Sequence, residues 1–99
     1  IADMAMKLDA ARLLIYRAAA NAIDDSPSRL ETSIAKVVAN EFGDEVVDEA
    51  LQIHGAMGYM QDSPVEYLYR WVRGWRIAGG TTEVQRNMIA HVVKKYGFE

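Results

Sequence analysis

Apolar side chains recur at intervals of three and four along the first part of the chain: Ile1, Met4, Leu8, Ala11, Ile15 and Ala18. That spacing draws one stripe down an α-helix and predicts a helix over residues 1–23. Asp24-Asp25-Ser26-Pro27 stops it. Ser28-Arg29-Leu30-Glu31 then reads as a capping box, with the serine accepting from the helix and the glutamate reaching back. Ser26 with Pro27 at the first helical position is an alternative start. A long second helix follows over 28–54, roughly 40 Å at 1.5 Å per residue. Its predicted buried face is Leu30, Ile34, Val37, Val38, Phe42, Val46, Ala50 and Ile53. Gly43 lies inside this helix, where it weakens the helix locally or lets another backbone approach closely. Gly55 and Gly58 end it.

Ser63-Pro64-Val65-Glu66 is a second capping box with proline well placed, opening a helix to about Val72 that Gly74 breaks. Thr82 with Gln85 offers a third box and a last helix to about Tyr96. No segment sustains a period-2 alternation with β-branched enrichment, so the chain is read as all-α. Four helices with the long ones first predict an antiparallel up-and-down helical bundle. Leu13, Leu14 and Ile15 stand in succession, so the first two helices carry apolar residues on more than one face. That excess predicts a missing partner helix or subunit.

Ninety-nine residues suit a single domain over 1–99. The helical pattern is already under way at Ile1, which predicts a segment of a longer chain. Net charge is −3, and no Lys/Arg run exceeds two residues, so a nucleic-acid footprint is not expected. The absence of cysteine excludes disulfides, thiolate zinc sites and Cys nucleophiles within these residues. No apolar run approaches the ~20 residues that span a bilayer.

Candidate chemistry is sparse. Leu51 stands three residues before His54 and Met88 three before His91, so neither histidine completes a Glu-x-x-His pair, and no metal site is expected. Tyr67, Tyr69, Trp71 and Trp75 read as packing and interface residues. Arg70, Arg73 and Arg76 form a solvated edge or pair with carboxylates of a neighbouring subunit. The richest stretch is Gly79-Gly80-Thr81-Thr82 ahead of the last helix. Backbone N–H groups and two hydroxyls converge there, which suits an anion or the polar edge of a cofactor. It lacks the Gly-Lys-Ser/Thr ending of a nucleotide-hydrolase phosphate loop.

Three separated motifs, in order, carry a family resemblance. Ala50-Leu51-Gln52-Ile53-His54-Gly55-Ala56-Met57-Gly58-Tyr59, Ser63-Pro64-Val65-Glu66-Tyr67-Leu68-Tyr69-Arg70 and Gly80-Thr81-Thr82-Glu83-Val84-Gln85-Arg86-Asn87 resemble the acyl-CoA dehydrogenase family. Ala2-Asp3-Met4-Ala5-Met6-Lys7 is similar to the helix leading into that region. The likeness covers essentially the whole chain and implies the carboxy-terminal helical domain, here without its first helix. It implies FAD as cofactor, an acyl-CoA substrate and oxidation of the thioester to the 2,3-enoyl-CoA. It also implies a homo-oligomer, dimer or tetramer, and admits an electron-transfer flavoprotein as partner. The implied setting is cytoplasmic, or the mitochondrial matrix in a eukaryote.

By that resemblance, Gln52, Ile53, His54, Gly55 and Ala56 lie against the FAD of a partner subunit. Thr81, Thr82 and Glu83 meet the cofactor's phosphate and ribose region, and Gly80 sits beside the thioester. The chain departs from the family pattern in three places. Ala78-Gly79 stands where many members carry the catalytic glutamate just before Gly-Thr. Glycine accepts no proton, so no catalytic residue is assigned, and the base is expected on the first helix of the domain, outside these residues. Ala56 replaces a usual glycine, and Trp71-Val72 replaces a common Asp-Ala. A non-catalytic assembly subunit or helical interaction module, and a flavin monooxygenase of the same fold, are the alternatives.

Overall fold

The computed structural model describes residues 1–98. Five helices follow one another: α1 (Ala2–Ala20), α2 (Arg29–His54), α3 (Ala56–Tyr59), α4 (Pro64–Gly74) and α5 (Thr82–Tyr96). The all-α expectation holds, with α3 as a short helix the sequence did not announce. α1 ends three residues early because the chain turns sharply at Ile23-Asp24-Asp25-Ser26. Ile23 and Ser26 exchange both backbone hydrogen bonds, at 3.1 and 2.9 Å. Asp24 and Asp25 take positive φ values of 49° and 61°, which aspartate tolerates better than most residues.

Ser28 caps α2, its Oγ accepting from Glu31 N–H at 3.4 Å. The predicted box is only half formed, because Glu31 does not reach back. Its carboxylate accepts from Asn21 Nδ2 at 2.9 Å and lies 3.6 Å from Arg17 Nε, clasping the end of α1. Gly55 ends α2 at φ 60°. Gly58 lets α3 fold back: a Cβ there would stand 2.6 Å from His54 Cβ. Ser63 caps α4 by accepting from Val65 N–H at 3.2 Å, with Pro64 in the first turn as predicted.

α2 is the axis of the molecule. α1, α4 and α5 each pack on α2, and among the described residues none of the three packs on another. α1 lies antiparallel to α2, with Lys7 paired to Glu45 near one end and Arg17 to Glu31 near the other. α4 returns along α2 and sets Val72 over Gly43, where an added Cβ would meet Val72 Cγ1 at 3.2 Å. Gly43 thus admits a close neighbour without interrupting the helix. α5 then runs in the sense of α2, since Gly79 lies beside Lys36 and Arg86 pairs with Glu41. The result is an open up-and-down bundle measuring 48 × 24 × 23 Å.

The openness corrects the predicted faces. On α1 the covered or half-covered positions are Met4, Lys7, Ala11, Leu14 and Ala18, a heptad seam against α2. Ile1, Leu8 and Ile15, placed in the stripe by spacing, are exposed. Ile53 of α2 is likewise 61% exposed. Among the described residues only Ala11, Ala18, Ala35, Val37 and Val46 are buried hydrophobics, against twenty large apolar side chains left exposed. The excess of apolar faces read from the sequence is thus left as exposed apolar surface. Tyr67 and Trp71 belong to it, and Trp71 meets Trp75 edge-to-face at 5.7 Å.

Candidate functional site

The Gly-Gly-Thr-Thr stretch begins where α4 unwinds. Trp75 N–H still reaches Val72 O at 3.1 Å, and Ile77 and Ala78 N–H both reach Gly74 O, at 3.1 and 3.0 Å. Gly79 and Gly80 then take φ values of 67° and 88°. Two successive left-handed residues reverse the chain, which β-carbons would resist. The reversal closes when Thr82 N–H donates to Arg76 O at 3.1 Å.

Thr81, not Thr82, caps α5: its Oγ1 accepts from Val84 N–H at 3.2 Å. The predicted Thr82–Gln85 box is therefore not formed: the cap falls one residue earlier, and Val84 three residues on has no side-chain acceptor. Thr82 is 1% exposed, packed beneath the turn, with its hydroxyl 3.5 Å from Glu83 Oε2. Gln85 instead lays its amide over Gly80, where a Cβ would stand 2.5 Å from Nε2. The N–H groups of Gly80, Thr81 and Glu83 find no acceptor among the described residues. A half-exposed threonine hydroxyl, three free N–H donors and an amide thus lie within residues 80–85 at a helix start. That donor set suits phosphate or ribose oxygens, provided they sit away from the exposed Glu83 carboxylate.

The turn is pinned by residues that the sequence reading passed over. Lys36 Nζ donates to Trp75 O at 2.5 Å, Ala78 O at 2.9 Å and Asn40 Oδ1 at 2.5 Å. Asp44, two helical turns further along α2, accepts from Arg76 Nη1 at 3.1 Å. Arg76 is thus paired within the chain. Glu41 accepts from Arg86 at 2.5 and 2.7 Å, and this hydrogen bond, with the guanidinium charge, holds its carboxyl below the ordinary range. Lys36, Asn40 and Asp44 stand four apart along α2, a spacing that places them on one face, and that spacing was the available signal.

The second group of candidates lies elsewhere. Gln52, Ile53, His54, Gly55 and Ala56 are all exposed, at the junction of α2 and α3. The His54 ring Nδ1 lies 2.7 Å from Ala50 O, so its N–H donates there and Nε2 faces outward. Nothing lies within 4 Å of a Cβ built on Gly55, so that backbone faces open space. From Lys36 to Gln52 is sixteen residues of helix, or about 24 Å along its axis. The two groups therefore cannot share one small contact patch. A surface cleft of about 780 Å³ between α2, α3 and α4 is lined by Leu51, Tyr59, Tyr69, Arg73 and Ile77 among others and by none of the candidates. Among the described residues no helix is long and apolar enough to cross a membrane.

The family model for the acyl-CoA dehydrogenase C-terminal domain matches residues 1–94. The chain is 42% identical over 90 residues to the 3-sulfinopropanoyl-CoA desulfinase of Paraburkholderia xenovorans, covering 91% of this chain and 23% of that protein. It is 41% identical over 97 residues to the mitochondrial short-chain specific acyl-CoA dehydrogenase of Bos taurus, covering 97% and 24%. Among solved structures, one of the electron transferring flavoprotein of Acidaminococcus fermentans superposes with a TM-score of 0.87 at 36% identity, over 93% of this chain and 24% of that one. The chain spans about a quarter of the length of the curated relatives it matches. Five helices in the same arrangement and a match along nearly every residue lead to one assignment: the chain belongs to the acyl-CoA dehydrogenase family, in the part formed by its C-terminal helical domain.

Proposed function

We propose that these residues are the carboxy-terminal domain of an FAD-dependent enzyme that oxidises an acyl-CoA thioester to the 2,3-enoyl-CoA. The observation that carries the reading is the Gly79–Glu83 turn, a rigid set of unsatisfied N–H donors in a chain 41% identical to a short-chain specific acyl-CoA dehydrogenase. When bound, FAD supplies the two-electron acceptor. Gly80, Thr81 and Glu83 would hold its phosphate and ribose region, with Thr82 packing the turn from beneath and Gly80 bordering the thioester. Gln52 to Ala56 would meet the flavin of a second subunit, because about 24 Å of α2 separates them from the turn. The exposed apolar faces of α1 and α4 then pack against other subunits or the rest of the chain, in a dimer or tetramer. An electron-transfer flavoprotein fits as acceptor, and the cytoplasm or mitochondrial matrix as setting.

Gly79 carries no carboxylate, so in this reading the proton at the α-carbon goes to a base contributed from outside these residues. A second reading is favoured by the same glycine together with the 42% identity to a desulfinase: a relative that acts on a CoA thioester without such a base, or a non-catalytic subunit. Anaerobic flavin bleaching of the FAD-loaded full-length protein with a panel of acyl-CoA thioesters separates the two. Rapid bleaching by one class supports the dehydrogenase and names its substrate. A flavin that stays oxidised with every thioester overturns it.

A further inference from the structure

We propose that Lys36 is a positioning residue for the flavin, acting through the Gly79–Gly80 turn without touching the cofactor; the inference rests on the function proposed above. The ammonium has three protons, and each has an oxygen: Asn40 Oδ1, Trp75 O and Ala78 O, at 2.5, 2.5 and 2.9 Å. No carboxylate pairs with Lys36 among the described residues. Neither Trp75 O nor Ala78 O accepts a backbone N–H of the turn. They are carbonyls left over where α4 ends, and the negative end of that helix favours a cation there.

The geometry makes Lys36 the clamp on the segment that sets the donors. Residues 75 and 78 are fixed by one nitrogen, and Arg76 between them is fixed by Asp44 at 3.1 Å. With 75–78 held on α2, the two glycines must reverse the chain at once for Thr82 N–H to reach Arg76 O. The free N–H groups of Gly80, Thr81 and Glu83 inherit their direction from that reversal. Lys36 itself is fully engaged as a donor, so it serves as neither base nor ligand. Arginine is no substitute, because its planar fork cannot converge on three oxygens arranged about one point.

The test uses the full-length protein, wild type and the variants Lys36→Met, Lys36→Gln and Lys36→Arg. Apo-protein is reconstituted with FAD, affinity is read from flavin fluorescence quenching, and amide hydrogen exchange is followed over residues 76–84. We expect at least a tenfold rise in the FAD dissociation constant for Lys36→Met and Lys36→Gln. Exchange at Ile77, Ala78 and Thr82, whose N–H groups are hydrogen-bonded in the turn, should accelerate by a similar factor while α1 stays unchanged. Lys36→Arg keeps a cation at the end of α4 and so keeps the fold; we expect several-fold weaker FAD binding and faster exchange in the turn. If Lys36→Met does not fold, Lys36→Arg decides. Variants that bind FAD within twofold of wild type overturn the positioning role, even where melting temperature falls, because that pattern is mere stabilisation. A wild-type protein that takes up no flavin overturns the proposed function itself, and the role of Lys36 with it.

Discussion

Gly79 is the position at which the missing carboxylate can be put back, and the structure fixes what that should cost. Its φ of 67° is left-handed, and a Cβ there would meet only Lys36 Cε at 3.8 Å, an ordinary contact. The residue is exposed, so neither overpacking nor burial adds to the cost. What remains is the backbone strain of an L-residue in that region, about 1–2 kcal/mol. Gly79→Ala, Gly79→Gln and Gly79→Glu should share it, as a fall of roughly 0.5–1 M in the urea midpoint. On the proposed function, only glutamate adds a proton acceptor beside the thioester. A well-placed general base contributes about 10²–10⁴ in rate. Here the Lys36 ammonium next door favours the ionised carboxylate and weakens it as a base. A tenfold or greater excess of Gly79→Glu over Gly79→Gln is therefore expected in anaerobic stopped-flow bleaching of the FAD-loaded full-length protein. Equal rates in two folded, flavin-loaded variants would refute the placement of residue 79 beside the substrate. An alanine that costs nothing would refute the strain argument.

Thr81→Ala removes the cap of α5 and should cost about 1 kcal/mol, with Thr81→Ser nearly neutral, as read from denaturation midpoints. The Glu41–Arg86 pair sets an acid limit. Glu41 titrates below its ordinary 4.5 because Arg86 hydrogen-bonds it. Its contribution is complete above that value and is lost as pH falls through the depressed one. Glu41→Gln should thus lower stability at neutral pH and flatten its decline as pH falls below 4.5, measured by thermal unfolding across pH. The 99-residue chain by itself should show no turnover and at most weak FAD binding, since most of the proposed pocket lies outside it. Tight stoichiometric uptake in a calorimetric titration would count against that division of the site.

The helices were legible because their punctuation is local. Asp24-Asp25-Ser26-Pro27, Ser63-Pro64 and Gly55 act within a few residues of where they stand, and the structure uses each as read. The faces were less legible, because a spacing of three and four marks two adjoining stripes on a helix with apolar residues all round. Ala11 and Ala18 went to the seam with α2, and Ile1, Leu8 and Ile15 to the surface. Only the partner helix decides between such stripes, and its position is a tertiary fact. α3 escaped notice because four residues are too few to show a period. Glu31 left its expected capping box because Asn21 and Arg17 came within reach, another contact made only by the fold.

The turn at Gly79 was legible as a donor site from its composition, but its supports were not. Lys36, Asp44 and Arg76 lie 32 to 42 residues from their partners in this network, and nothing in the turn itself calls for them. What the helix pattern did offer was spacing: Lys36, Asn40 and Asp44 stand four apart on the helix that every other helix packs against. All three are half-buried, and each finds its partner in the 75–78 segment or in another member of the set. The same helix ends, about 24 Å away, in Gln52 to Gly55. On the proposed function, α2 therefore carries the clamp for one flavin at its middle and contacts to another at its end. A rigid rod that joins two sites cannot place one of them independently of the other. On that proposal, the coupling of the two sites is what a long uninterrupted helix at the centre of so open a bundle provides.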